Sequence, residues 1–171
     1  MKIISGKNTN TIDNQKIDIT GIEDVESNIS NSDGSTNTKY KGFDVIGTIQ
    51  IPAISLKYPI LEKLSKKSLE TSVVLLYTSN GLNEVGNSVI IGHNYRNGTM
   101  FSNVKKLGEG DIIYITDTSG RKVKYTIYKK YTTSGDDGEY MTRNTNGKRE
   151  ISLSTCTDDS KARTIVLAKE D

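Results

Sequence analysis

At 171 residues, with 23 basic and 21 acidic side chains scattered along it and a net charge of +2, the chain has no basic stripe suited to nucleic acid. A single cysteine excludes an intrachain disulfide framework and a thiolate-rich zinc site, and no apolar run approaches the ~18 residues that a membrane-spanning helix needs. The length suits one core, but 33% hydrophobic and 6% aromatic residues mark a polar chain, part of which adds little to packing.

Residues 1–41 hold most of that polar surplus: 7–41 are rich in Asn, Ser, Thr, Asp and Lys, too little apolar area to offset chain entropy. They are expected to be a partly disordered or appended segment. Within them Ile22, Val25 and Ile29 fall at helical spacing and predict a short amphipathic helix over 17–29. From Phe43 the character changes. Residues 43–52 are β-branched and apolar and end at Pro52, as a strand edge does; 56–61 predict a second strand, with Pro59 limiting its hydrogen bonds. Residues 65–72 read as a short helix, and 88–92 as an apolar strand leading into His93.

Residues 99–107 predict a helical turn or two, with Met100, Val104 and Leu107 on one face and Gly108 as the stop. Residues 111–116 and 123–131 alternate at period two about Thr118-Ser119-Gly120, a hairpin pattern. Asn146-Gly147 introduces a strand over 151–156, and 164–168 supply the last. Roughly seven or eight strands with little helix must bury a face against another sheet or close on themselves, so the expected class is a mostly β barrel or sandwich.

In Ile151-Ser152-Leu153-Ser154-Thr155-Cys156 the apolar residues share one face, and Ser152, Ser154 and Cys156 share the other. The thiol therefore travels with hydroxyls. His93, the only histidine, ends an apolar strand where a side chain can leave the sheet, and Arg163 follows the cysteine closely enough for a tight loop to return it to the same end. A thiol, an imidazole and a planar guanidinium are a nucleophile, a proton carrier and an oxyanion donor. Each also has a structural reading: a core cysteine, a surface histidine at a strand end, an arginine paired with Asp158 or Asp159.

Together these residues resemble the sortase family, the cysteine transpeptidases that join proteins to the Gram-positive cell wall or to each other. Ser152-Leu153-Ser154-Thr155-Cys156 is similar to the family's Thr-Leu-x-Thr-Cys strand, with serine in the first place. Arg163 matches its downstream arginine and Gly92-His93-Asn94 its histidine segment. Gly47-Thr48-Ile49-Gln50-Ile51-Pro52, Tyr58-Pro59-Ile60, Phe101, Leu107 and Gly110-Asp111 follow in the family's order, and the likeness covers residues 42–171.

The resemblance implies a single eight-stranded β-barrel over 42–171 with short helices, taking a C-terminal sorting signal of the Leu-Pro-x-Thr-Gly type. Cys156 would attack the threonine carbonyl to give a thioacyl enzyme, His93 would move the protons, and Arg163 would steady the substrate and the tetrahedral oxygen. Ser154, Thr155 and Asn94 are the expected peptide-binding groups beside them, with Tyr140 and Met141 from the 132–148 loop. Partners would be the sorting signal of a secreted surface protein and an amine from a peptidoglycan precursor or another protein.

No cofactor or metal is required, because a thioester conserves the energy of the peptide bond. Asp136-Asp137-Gly138-Glu139 lacks the alternating carboxylates of an EF-hand and reads as turn acidity. The Asp-Pro-aromatic lid of pilus-building members is absent, since both prolines follow Ile51 and Tyr58, and the 132–148 segment is too short for the class B helix. A compact housekeeping or class D-like enzyme is expected, although Gly-His-Asn is also similar to class B. The full-length protein would sit on the extracellular face of the membrane, this chain being its soluble ectodomain and its anchor absent. Two other readings stand beside this one: a thiol endopeptidase that hands the acyl group to water, and a non-catalytic β-barrel binding module.

Overall fold

The computed structural model describes residues 25–29 and 36–170. Its strands are β1 (Val25–Ile29), β2 (Thr36–Tyr40), β3 (Phe43–Ile51), β4 (Leu56–Leu61) and β5 (Val73–Thr78), with helix α1 (Lys66–Thr71) before β5. Then come β6 (Gly86–Ile91), β7 (Ile112–Asp117), β8 (Lys122–Thr133), β9 (Arg149–Cys156) and β10 (Arg163–Glu170). They lie in the order β1-β2-β3-β4-β5-β6-β9-β10-β8-β7, and because β7 also pairs with β3, the last eight strands close into a barrel.

Period-two alternation explains the closure. Ile49 and Ile51 of β3, Ile113 and Ile115 of β7, Tyr125 and Ile127 of β8, and Ile151 and Leu153 of β9 all point inward and are buried. Each such side chain contributes about 1.5–3 kcal/mol through removal from water. A smaller apolar cluster lies outside the barrel: Val89, Ile165, Leu167 and Tyr140 pack with Leu76, Tyr128, Tyr131 and Met141. It seats the connection between β8 and β9 against the barrel wall.

Two seams are parallel, β4 with β5 and β6 with β9; the remaining barrel pairs are antiparallel. The β6–β9 seam positions the site, since it runs both strands toward the same end of the barrel. At that end Gly92 lies so close to the core that an added β-carbon would come within 2.9 Å of the Phe101 ring and of Val73. Only glycine fits there.

The short helix expected over 65–72 is present as α1 and carries a reciprocal cap: the Ser65 hydroxyl accepts from the Ser68 amide and the Ser68 hydroxyl from the Ser65 amide. The hairpin at Thr118-Ser119-Gly120 joins β7 to β8, with Gly120 at φ 87°. Asn146 and Gly147 both take positive φ, 55° and 79°, in the turn that opens β9.

Three expectations are corrected. The helix predicted over 17–29 falls partly outside the described residues, and Val25–Ile29 is a strand: it pairs antiparallel with β2 from Val25↔Tyr40 to Ile29↔Thr36, and β2 joins β3 at Lys39↔Asp44. A docked edge supplies backbone partners along the segment, whereas an isolated short helix must meet its own nucleation cost. Residues 99–107 form turns and one 3-10 turn, Val104–Lys106, rather than an α-helix. Met100 sits at φ 51° in a bridge to Asn94, and the buried residues Phe101, Val104 and Leu107 recur every third position, the 3-10 period. The strand Val73–Thr78, unassigned in the sequence, completes the barrel.

Candidate active site

Strand register brings the three chemical groups together. In β10, Arg163 is the direct partner of Cys156 in β9. On the other side β6 pairs with β9 through Ile91↔Ser154, so two further residues along each chain bring His93 level with Cys156. Neighbouring strands are about 4.8 Å apart, which makes His93, Cys156 and Arg163 a row across adjacent chain segments at one end of the barrel.

Local bonds hold the row. The Gly92 amide donates to the Ser154 carbonyl at 3.3 Å, and the Thr155 hydroxyl, turned to the other face of β9, donates to the Gly92 carbonyl at 2.7 Å. The His93 carbonyl accepts from Phe101, and the imidazole stacks on Tyr95 with centroids 4.9 Å apart. The Asn94 amide donates to the Cys156 carbonyl at 3.0 Å and to Asp158 at 2.9 Å.

Asp158 also takes Lys105 at 2.6 Å, and these two donors, Lys105 first, hold its carboxyl below the usual carboxylate range. Asp159 is engaged by the Thr157 hydroxyl and the Lys161 amide. Arg163 instead donates through Nη1 to Cys156 Sγ at 2.6 Å. Cys156 itself is partly exposed, not walled into the barrel.

A cleft of about 330 Å³ opens on this row. His93, Ser154, Thr155, Cys156 and Arg163 form its polar side; Leu69 of α1, Leu76, Ile91, Tyr140 and Met141 form an apolar wall. Of the expected catalytic and peptide-binding residues, Asn94 alone lies outside this cleft. It lines a second hollow of about 200 Å³ on the other side of Cys156, with Ser102, Lys105 and Asp158. The Thr155 hydroxyl is spent on the Gly92 carbonyl, and the Asn94 side chain on the Cys156 carbonyl, Asp158 and the Arg96 amide. Asp137 is a turn group, accepting from the Thr133 hydroxyl and the Glu139 amide, which hold its carboxyl low.

The sequence reading missed Leu69, Leu76 and Ile91, and also Arg143, whose guanidinium supports the loop carrying Tyr140 and Met141. Ile91 and Leu76 lie out of phase with the inward residues Ile90 and Leu75, but each sits in a continuous apolar run, so no alternation marked them in the sequence. Arg143 had no local signal either, as its partners lie on β8, on β9 and in its own loop.

A family description, sortase domain, matches residues 49–171. The chain belongs to the sortase family. Sortase A of Bacillus anthracis is 32% identical over 113 residues, covering 66% of this chain and 52% of the relative. This sortase chain spans about half the length of the curated relatives it matches. Among solved structures, a Clostridium perfringens sortase D5 transpeptidase superposes with TM-score 0.67 at 32% identity, covering 75% of this chain and 79% of that one. Clostridium perfringens sortase C, solved with the C-terminal cell wall sorting motif, gives TM-score 0.67 at 27% identity, covering 75% and 71%. Sortases of classes A, C and D are all among the neighbours. Among the described residues, no helix is long and apolar enough to cross a membrane.

Proposed function

We propose that residues 42–171 are the catalytic unit of a cysteine transpeptidase that cleaves a Leu-Pro-x-Thr-Gly-like sorting signal between threonine and glycine and transfers the acyl half to an amine. The observation that carries this reading is the row of His93, Cys156 and Arg163 in one cleft, with the guanidinium on the sulfur. The family, and a neighbour solved with a sorting motif, support it.

Cys156 sulfur, its thiol proton passed to His93, adds to the threonine carbonyl carbon, and Arg163 stabilises the negative charge as it moves from sulfur to the tetrahedral oxygen. The C–N bond then breaks, His93 gives a proton to the departing glycine amine, and a thioester remains. An incoming amine, relieved of a proton by His93, attacks the same carbon and displaces the sulfur. One peptide bond is exchanged for another. The apolar wall of Leu69, Leu76, Ile91, Tyr140 and Met141 suits the leucine and proline side chains of the signal. Ser154 borders the same groove.

The natural amine is a peptidoglycan precursor or a protein amine, met at the extracellular face of the membrane. Mass spectrometry of products from a sorting-signal peptide, with and without an oligoglycine acceptor, tests the reading. Ligated product with the acceptor is expected; hydrolysis alone under both conditions would instead make the chain a thiol endopeptidase.

A further inference from the structure

We infer that Arg143 is a positioning residue for the sorting signal: it staples the Tyr140–Met141 wall of the cleft to the outer face of the barrel. The inference rests on the proposal that this cleft takes a sorting-signal peptide. The wall is carried on a 3-10 turn, Glu139–Thr142, too short to hold its own place. What fixes it is a polar network assembled from three strands and the loop.

The Arg143 guanidinium spends each nitrogen. Nη1 donates to the Tyr140 carbonyl at 2.8 Å and to the Ser152 hydroxyl at 2.7 Å; Nη2 donates to Glu150 Oε1 at 2.7 Å; Nε donates to the same carboxylate at 3.0 Å and to the Tyr128 hydroxyl at 3.2 Å. Tyr128 in turn donates to Glu150 at 2.6 Å. The Ser152 hydroxyl donates onward to Asn87 Oδ1 at 3.0 Å, and the Asn87 amide donates to the Met141 carbonyl at 2.9 Å. The carbonyls of both wall residues are thus held by side chains whose own positions are set by β6, β8 and β9.

The network is buried. The Arg143 and Glu150 side chains are 16% and 9% exposed, while Ser152 and Asn87 are 0% and 1% exposed. A guanidinium suits it, because five acceptor contacts in different directions need a rigid planar set of donors, whereas a lysine ammonium reaches few of them. Glu150 keeps the cation from being an unpaired buried charge. Ser152, the first residue of the cysteine-strand motif, therefore acts on the loop rather than on the sulfur four residues along. The staple lets the wall stand ready before peptide arrives, so less ordering entropy is lost on binding.

Steady-state kinetics on Arg143→Lys, Ser152→Ala and Ser152→Thr, with a sorting-signal peptide and oligoglycine, test the inference. They are joined by the rate of Cys156 alkylation by iodoacetamide and by hydrogen exchange across residues 134–148. Arg143→Lys is expected to raise KM about tenfold, the scale of one lost charge-assisted hydrogen bond. Its kcat and alkylation rate stay near wild type, and exchange quickens in 134–148 alone. Ser152→Thr, which keeps the hydroxyl, holds wild-type KM, and Ser152→Ala raises it.

An unchanged KM in folded Arg143→Lys overturns the inference, as does a fall in alkylation rate in step with KM. If Arg143→Lys does not fold, the two Ser152 variants decide. If wild type cleaves no sorting signal, the substrate reading fails by itself, and unchanged exchange in 134–148 of Arg143→Lys would still overturn the staple.

Discussion

The two ends of β9 use polar side chains in opposite ways. Near its start, by Arg149, the buried Asp117 carboxylate accepts from the Ser119 amide and hydroxyl, the Arg121 amide and Nε, and Asn83 Nδ2. Arg121 also binds Glu84, and Tyr125 donates to Asn83 Oδ1. Each of these charges is matched by a partner within the protein. At the far end the Arg163 guanidinium rests on a thiol, the imidazole stacks on Tyr95, and a cleft of about 330 Å³ opens before them. On the proposed function the saturated end serves the barrel and the unsaturated end the substrate, a division that mutations should separate.

The largest effect falls at the cleft. Cys156→Ala should abolish both cleavage and ligation, a loss on the order of 10⁴-fold or more for a removed nucleophile, while thermal unfolding stays close to wild type because the thiol is only partly buried. Peptide turnover followed by chromatography, beside a calorimetric scan, checks both halves. Residual ligation would take the nucleophile's role from Cys156. Arg163→Lys comes next: the charge remains but the planar fork is lost, and kcat should drop about 10²–10³-fold, the scale of a missing oxyanion donor. Near-wild-type turnover in Arg163→Lys would leave the arginine only a structural contact with sulfur.

How far the sequence disclosed this division varies by residue. The β9 pattern was readable because Ile151 and Leu153 alternate with Ser152 and Ser154, and period two fixes which face the thiol takes. Tyr140 and Met141 stood out as the only apolar residues of an otherwise polar loop. Val73–Thr78 went unassigned because a continuous apolar run directly after a helix shows no alternation and no turn before it. The Asp117 and Arg143 networks were invisible for a different reason. Their partners, Asn83 before β6 with Arg121 before β8, and Asn87 of β6 with Ser152 and Glu150 of β9, come from segments far apart in the chain, so no local spacing betrays them.

The mildest test addresses the saturated end. Asp117→Asn keeps the shape but removes the charge and points an amide toward donors, at a cost of roughly 2 kcal/mol, with turnover per folded molecule unchanged. Its pH dependence carries the stronger argument. Burial alone would push the Asp117 carboxyl up, but the bonds from Ser119, Asn83 and Arg121 outweigh it and hold the carboxyl below its ordinary value. With the folded value depressed, the unfolded chain binds the proton more readily, so this stability is fully present above the ordinary carboxylate pKa near ~3.9 and is lost as pH falls through the folded value. Asp137, Asp158, Asp159 and Glu170 are also held low, and all four remain in Asp117→Asn. Subtracting the denaturation curves of the two proteins therefore isolates one carboxylate. The gap should be constant above pH ~5 and close as acid is added below the ordinary value. A gap independent of pH would mean that shape, not charge, makes Asp117 the hub of that end.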